Sequence, residues 1–325
     1  MSQPKLRPSE TLCIESRMAS SSHKVIYAAL TANILIATAK FVTAAITGSS
    51  SMLAEGFHST VDIGNSVLLL FGIRRSQRPA DELHPFGYGK ELYFWSFVVA
   101  VSVFSVGGVL SVWDGIHHLH NPAELGNLKW SYAVLGFAAV LDGYSLIVSL
   151  REIARTKGAA TLWQFIQRSK DPTVYTVAME DSADLAGVIV AFLAIFLGER
   201  LHLPWLDGAG SIVIGVILIG IAIVLGRESK NLLVGESASR PLVEQIRRAV
   251  ARDPGIDAVG QVLTMQLGPH AVLVNIDARF KPQGSLDALE SAIRRVEDSV
   301  RAIDPTVQHV FLEASSLQVQ QLGSS

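Results

Sequence analysis

Six stretches of this chain are each long and apolar enough to cross a bilayer, and little else about the chain constrains its fold as strongly. They cover roughly residues 25–47, 52–73, 92–113, 130–151, 174–198 and 206–226, against the about 20 apolar residues that a spanning helix needs. "LYFWSFVVAVSVFSVGGVLSVW" and "GAGSIVIGVILIGIAIVLG" are uninterrupted, whereas the second, fourth and fifth stretches carry acids. The first and sixth are rich in Gly and Ala, which permits close helix contact. Charged residues make up only 17% of the chain and hydrophobic ones 49%, where a typical soluble domain is about 25% charged. The chain therefore reads as an integral membrane protein with a soluble part. A net charge of −2 offers no basic excess for nucleic acid. One cysteine, Cys13, excludes an intrachain disulfide framework or a thiolate metal site. The start, "MSQPKLRPSETLCIESRMASSSHK", lacks the apolar core of a cleaved signal peptide.

Lys and Arg placement gives the orientation. Arg74, Arg75, Arg78 and Lys90 follow the second stretch, and Arg151, Arg155, Lys157, Arg168 and Lys170 follow the fourth. Arg227 and Lys230 follow the sixth, while the opposite loops hold only Lys129 and Arg200. Both termini are expected in the cytoplasm. Past residue 231 the pattern changes to two amphipathic helices, "PLVEQIRRAVARD" and "SLDALESAIRRVEDSVRAI", and three strands, "AVGQVLTMQLG", "HAVLVNIDARF" and "VQHVFLEA". The second helix places Leu286, Leu289, Ile293, Val296 and Val300 on one face. The expected fold is a six-helix transmembrane protein with a C-terminal α-β-β-α-β domain of the ferredoxin-like kind. Its parts are a polar tail over 1–23, the transmembrane domain over 24–230, the α+β domain over 231–315 and a disordered tail over 316–325. So small a domain has a thin core, which a second copy would extend.

Ionisable groups at membrane depth are expensive and are functional candidates by default. His58 and Asp62 stand four apart in the second stretch, and Glu180 and Asp184 repeat that spacing in the fifth. Residues i and i+4 share a helix face, so two such helices facing one another converge one imidazole and three carboxylates. That set suits a borderline divalent metal such as Zn²⁺ in a tetrahedral shell. Asp181 points about 100° away from Glu180; it lines the water path, accepts a hydrogen bond, or ligates. Asn65 shares the face of His58 and Asp62 and either supplies an amide oxygen, which tolerates a harder metal such as Mn²⁺, or packs between helices. Asp207, Asp142 and Tyr144 are further candidates for the water path, and Lys40 either snorkels or pairs with an acid.

Several motifs in order resemble the cation diffusion facilitator family: "SMLAEGFHSTVDIGN", "RPADELHPFGYGKELYFWSF", "EDSADLAGVIVAF" and "LDGAGSIVIGVILIGIAIVLGRESKNLLVGESA". The resemblance covers about residues 24–315 and puts His58, Asp62, Glu180 and Asp184 on the family's ligand positions. Glu180 stands where many members have His, as in the branch that contains the mitochondrial zinc exporter of animals and its bacterial relatives. The resemblance further implies a homodimer held by the C-terminal domain, a transported divalent ion (Zn²⁺, or Mn²⁺, Fe²⁺, Co²⁺ or Cd²⁺), exchange for protons, and no prosthetic group. A bacterial inner membrane is the expected location. Some members bind a second metal in the loop, where Asp81 and His84 correspond and Tyr88 replaces a further His; the alternative is a loop that positions the third helix. His270, Asp277, His309 and Glu313 are candidates in the soluble domain, where Asn275 replaces a His, but a structural, dimer-forming role is the favoured reading. "GIHHLH" at 115–120 is a weak metal attractor or a plain helix end. No "GxxxxGK" loop is present, so ion gradients must drive transport. The rivals are a metal sensor or scaffold without flux and a metal-dependent membrane hydrolase, for which no "HExxH" or "GxSxG" is present.

Overall fold

The computed structural model describes residues 33–122, 128–156, 170–282 and 285–313. The tails over 1–23 and 316–325, Cys13, residues 25–32, Lys157 and Arg168 lie outside them. The helices are α1 (Asn33–Thr47), α2 (Ser50–Ser76), α3 (Glu91–His120), α4 (Lys129–Thr156), α5 (Pro172–Leu201) and α6 (Trp205–Val234). They are followed by α7 (Arg240–Ala251), β1 (Ile256–Gly268), β2 (Ala271–Phe280), α8 (Leu286–Arg301) and β3 (Val307–Glu313). Four of them, α3, α4, α5 and α6, are long and apolar enough to cross a membrane. The 27-residue α2 is not among the four, because Glu55, His58, Asp62 and Asn65 interrupt its apolar run. The described chain divides into two compact units. One joins the described residues up to Val67 with Val101–Leu150 and Ala178–Ile223; the other joins Leu68–Ala100, Arg151–Val177 and the residues from Val224 onward.

In the first unit, Ala44, Met52, Val61, Leu135, Ala138, Ala191, Ile195, Ile214 and Leu218 form a continuous core. The turn from α1 into α2 is Gly48, with φ +70° and its N–H donating to Ala44 O at 2.8 Å, the left-handed helix stop that glycine adopts most cheaply. The first turn of α2 has free N–H groups and a positive field. Asp207, in the first turn of α6, answers them, accepting from Ser49 Oγ (2.8 Å), Ser50 N (2.5 Å) and Ser51 N (3.3 Å). Ser50 Oγ in turn donates to Asp114 Oδ2 on α3 at 2.5 Å. A stripe of small residues lets α3 and α6 touch. A Cβ at Gly115 would lie 2.6 Å from Gly208 O, and one at Gly215 would lie 2.8 Å from Gly108 O. Between these contacts Ser211 Oγ donates to Ser111 O at 2.8 Å, a close approach of the kind that replaces hydrophobic driving force in lipid. Within the same contact α3 loosens into a π-helical stretch over Val103–Val109.

The second unit contains the C-terminal sheet, in the order β1-β2-β3. β1 and β2 are antiparallel, with Met265 opposite Leu273; β2 and β3 are parallel, with Leu273 opposite His309. The α8 crossover supplies the long connection that parallel strands require. β2 alternates strictly, burying Val272, Val274, Ile276 and Ala278, and these share a core with Ile246 and Val250 of α7 and Val296 and Val300 of α8. Ser285 caps α8, its hydroxyl accepting from Ala288 N at 3.2 Å. One expectation is corrected here. Leu286 is 70% exposed, and Ala292 takes its place in the core. Ten residues before Val296, Leu286 lies about 80° off the buried line, at the rim of an apolar stripe only about 100° wide.

Candidate metal centre

Within the first unit, α2 and α5 bring their ionisable residues together. His58 Nε2 lies 3.0 Å from Asp184 Oδ1, and His58 Nδ1 lies 3.4 Å from Asp62 Oδ1. One ligand atom from each of His58, Asp62 and Asp184 falls within 4.8 Å of the others, the only such trio among the described residues. His58 is 1% exposed, yet neither ring nitrogen meets a hydrogen-bonding partner in good alignment, and Asp62 Oδ1 is equally unpartnered. Buried polar atoms are almost always paired. An imidazole with both nitrogens unpartnered, an unpartnered Asp62 oxygen and the adjoining Asp184 carboxylate form a donor set that a divalent cation completes, with the N/O chemistry Zn²⁺ accepts.

Glu180 does not join that trio. Its Oε1 accepts from Asn65 Nδ2 at 2.8 Å, so α2 holds it by an amide one turn beyond Asp62. Asp181 turns to α4, where Ser145 Oγ (2.9 Å) and Ser149 Oγ (2.5 Å) donate to it. A cavity of about 40 Å³ beside the trio is lined by Asn33, Ile36, Ser59, Asp62, Asp142 and Asp184, with room for a water or a bare ion. Asp142 adds an unpartnered buried Oδ2. Tyr144, by contrast, is 70% exposed.

One turn before His58, Glu55 is fully buried, and Lys40 Nζ of α1 donates to its Oε2 at 2.8 Å and to Ser59 Oγ at 2.9 Å. The lysine pairs with an acid rather than snorkelling. Glu55 Oε1 rests on the bare backbone of Gly187, where a Cβ would overlap it. Asp207 caps α2, and Asp114, which accepts from the hydroxyl of the same Ser50, is not among the residues the sequence pattern singles out. Its signal was available, an acid within an otherwise apolar span, 7% exposed. On the same helix, His118 and His120 turn their Nδ1 atoms to backbone carbonyls one turn back, at 3.2 and 2.8 Å.

The loop candidates, in the second unit, are arranged differently. Asp81 Oδ1 accepts from Leu83 N (3.0 Å) and His84 N (2.7 Å), while its Oδ2 accepts from Tyr88 OH (2.7 Å). The Tyr88 hydroxyl, and after it the His84 amide, hold the Asp81 carboxyl below the usual carboxylate range. His84 Nδ1 lies 3.4 Å from Asp81 Oδ1, and its ring packs against Tyr88 with centroids 4.2 Å apart and the planes tilted by 33°. A wider cavity of about 560 Å³ in this unit has Arg78, Tyr88, Asp171, His270 and His309 among its lining residues. Asp277 and Glu313 are opposite one another on β2 and β3. None of these belongs to a trio of ligand atoms within 4.8 Å among the described residues.

Residues 26–234 match the model of the cation efflux transmembrane domain. The chain is 29% identical over 337 residues to metal tolerance protein C4 of Arabidopsis thaliana, covering 90% of this chain and 73% of that protein. It is 31% identical over 267 residues to the mitochondrial proton-coupled zinc antiporter of Homo sapiens, covering 81% of this chain and 46% of that protein. It is also 26% identical over 289 residues to the uncharacterized transporter YdbO of Bacillus subtilis, covering 88% and 93%. The chain thus spans about half the length of the zinc antiporter. The matched model covers the helices that carry the trio, and with it the chain belongs to the cation efflux, or cation diffusion facilitator, family of membrane proteins, which are transporters and not enzymes.

Proposed function

We propose that this transporter exports a divalent transition metal, Zn²⁺ first, from the cytoplasm in exchange for protons, through His58, Asp62, Asp184 and Glu180. The observation that carries the reading is the mutual approach, within 4.8 Å, of one imidazole and two carboxylates on helices α2 and α5. Metal and protons compete for the same lone pairs, since ligands must be deprotonated to hold metal and binding releases their protons. A side facing near-neutral cytoplasm loads the ion; a more acidic outer side returns protons and lets it leave. Alternating access is a rocking of helices about the site. In this reading α1 and α2 join the four apolar helices to make six spans, and the Lys and Arg distribution puts both termini in the cytoplasm of a bacterial inner membrane. Residues 24–230 transport, while residues 231–315 pair two copies. The partly exposed sheet face, with Leu263 57% and Phe311 49% exposed, supports the pairing. The zinc antiporter relative supports proton coupling and the metal.

Zinc flux into proteoliposomes under an imposed pH gradient tests this. Asp62→Ala and Asp184→Ala should each abolish flux and leave the dimer intact; full activity in either sinks the assignment. A metal sensor or scaffold would bind Zn²⁺ and carry none.

A further inference from the structure

Asn65 is 2% exposed, and the two ends of its amide are treated differently. Its Nδ2 donates to Glu180 Oε1 at 2.8 Å, while its own Oδ1 is buried without a partner. It lies on α2 three residues after Asp62 and seven after His58, the spacing that keeps all three on one helix face. Of the four residues proposed above to carry the ion, Glu180 alone lies outside the 4.8 Å trio, and the amide is what it touches instead. An N–H donated to a carboxylate is a charge-assisted hydrogen bond, about twice as strong as one between neutral groups, and here it spans the two helices that carry the site.

We propose that Asn65 is a positioning residue that holds Glu180 out of the His58–Asp62–Asp184 cluster, making the fourth ligand exchangeable. This rests on the transport reading above. Glu180 leaves the amide to close the shell around the cation and returns to it when the cation departs. No bond is made or broken other than the coordination bond and the hydrogen bond that replace one another. The hold weakens ground-state binding and speeds release. Asn65 thereby trades affinity for turnover at a site that must not bind too tightly.

Zn²⁺ binding to the full-length protein, by competition with a metal dye, and Zn²⁺ flux in proteoliposomes are measured for wild type, Asn65→Ala, Asn65→Leu, Glu180→Gln and Asn65→Ala/Glu180→Gln. Losing a hydrogen bond to a charged group should tighten binding about tenfold or more. KM and kcat should fall together, so that kcat/KM changes little. In the Glu180→Gln background the same substitution should change affinity far less, because the amide then holds only a neutral oxygen, by a weaker hydrogen bond, and that oxygen is a poorer ligand. Weaker binding in either Asn65 variant that assembles, as a lost ligand would give, overturns the proposal. An equal change with and without Glu180, as a merely structural role would give, also overturns it. If neither Asn65 variant assembles, the role is structural and the proposal falls. Wild type that neither binds nor exchanges Zn²⁺ removes the transport reading itself, a separate result from failure of the Asn65 arm alone.

Discussion

The membrane helices and the α2–α3 loop each hold an aspartate beside a histidine, yet the two pairs are in opposite chemical states. In the loop, both Asp81 oxygens are occupied, by two backbone amides and the Tyr88 hydroxyl. In the helices, His58 keeps two unpartnered ring nitrogens and Asp62 an unpartnered oxygen. The backbone makes the difference. Loop amides are free to donate to a nearby carboxylate, whereas mid-helix amides are already committed to carbonyls four residues back. A mid-helix acid in lipid can only be answered by another side chain or by a ligand. Asp207 falls between the two cases, because it meets the first turn of α2, where amides are still free.

The sharpest way to break this contrast is to remove the same group from both places. Asp184→Asn should lower Zn²⁺ flux by more than about 100-fold, beyond the about 10–100-fold that outer partners of a metal site are worth. Asp81→Asn should leave flux within about twofold of wild type. Both are read as initial rates in the same proteoliposomes. Comparable losses would mean that the loop acid also handles metal and that its satisfied hydrogen bonds are no guide to its role.

Asp207→Ala probes the intermediate case. It removes the acceptor for two backbone amides and the Ser49 hydroxyl and should cost about 1–2 kcal/mol, the upper range for a lost helix cap. Thermal unfolding in detergent should show it as a midpoint several degrees lower, with flux per folded molecule reduced far less than by Asp184→Asn. A loss of flux with unchanged thermal stability would return Asp207 to the ion path.

The same rule accounts for what could be read from the sequence. The i, i+4 pairs were legible because helix periodicity fixes which residues share a face, and α2 and α5 do bring His58, Asp62 and Asp184 together. The alternation of β2 and the amphipathic α7 likewise follow from periods of two and 3.6. Rotamer choice was not legible: periodicity puts Glu180 on the facing side but does not say that an amide from α2 will take it. Asp114 was visible as an acid in an apolar helix, but its role was not, because that depends on Ser50, a residue of the preceding helix, approaching it. The small-residue stripe of α6 was visible, but its matching stripe on α3, Gly108, Ser111 and Gly115, needed the register of two helices.

The smallest effect sharpens the loop side. Tyr88→Phe removes the hydroxyl that contributes most to lowering the Asp81 carboxyl. A depressed folded pKa means that the ionised Asp81 adds to loop order above the ordinary carboxylate range, and that the contribution is lost as pH falls through the depressed value. Without the phenol, the Asp81 pKa should move back up toward that range, so the same loosening should begin at a higher pH. Carbon-13 titration of the Asp81 carboxyl in the full-length protein measures this directly, and hydrogen exchange at Leu83 and His84, corrected for intrinsic pH dependence, reports the loop. At neutral pH both should change little, because two backbone amides still hold Oδ1. An unshifted titration in Tyr88→Phe would mean that the backbone alone satisfies Asp81, which separates loop from helix still more completely than the tyrosine contact does.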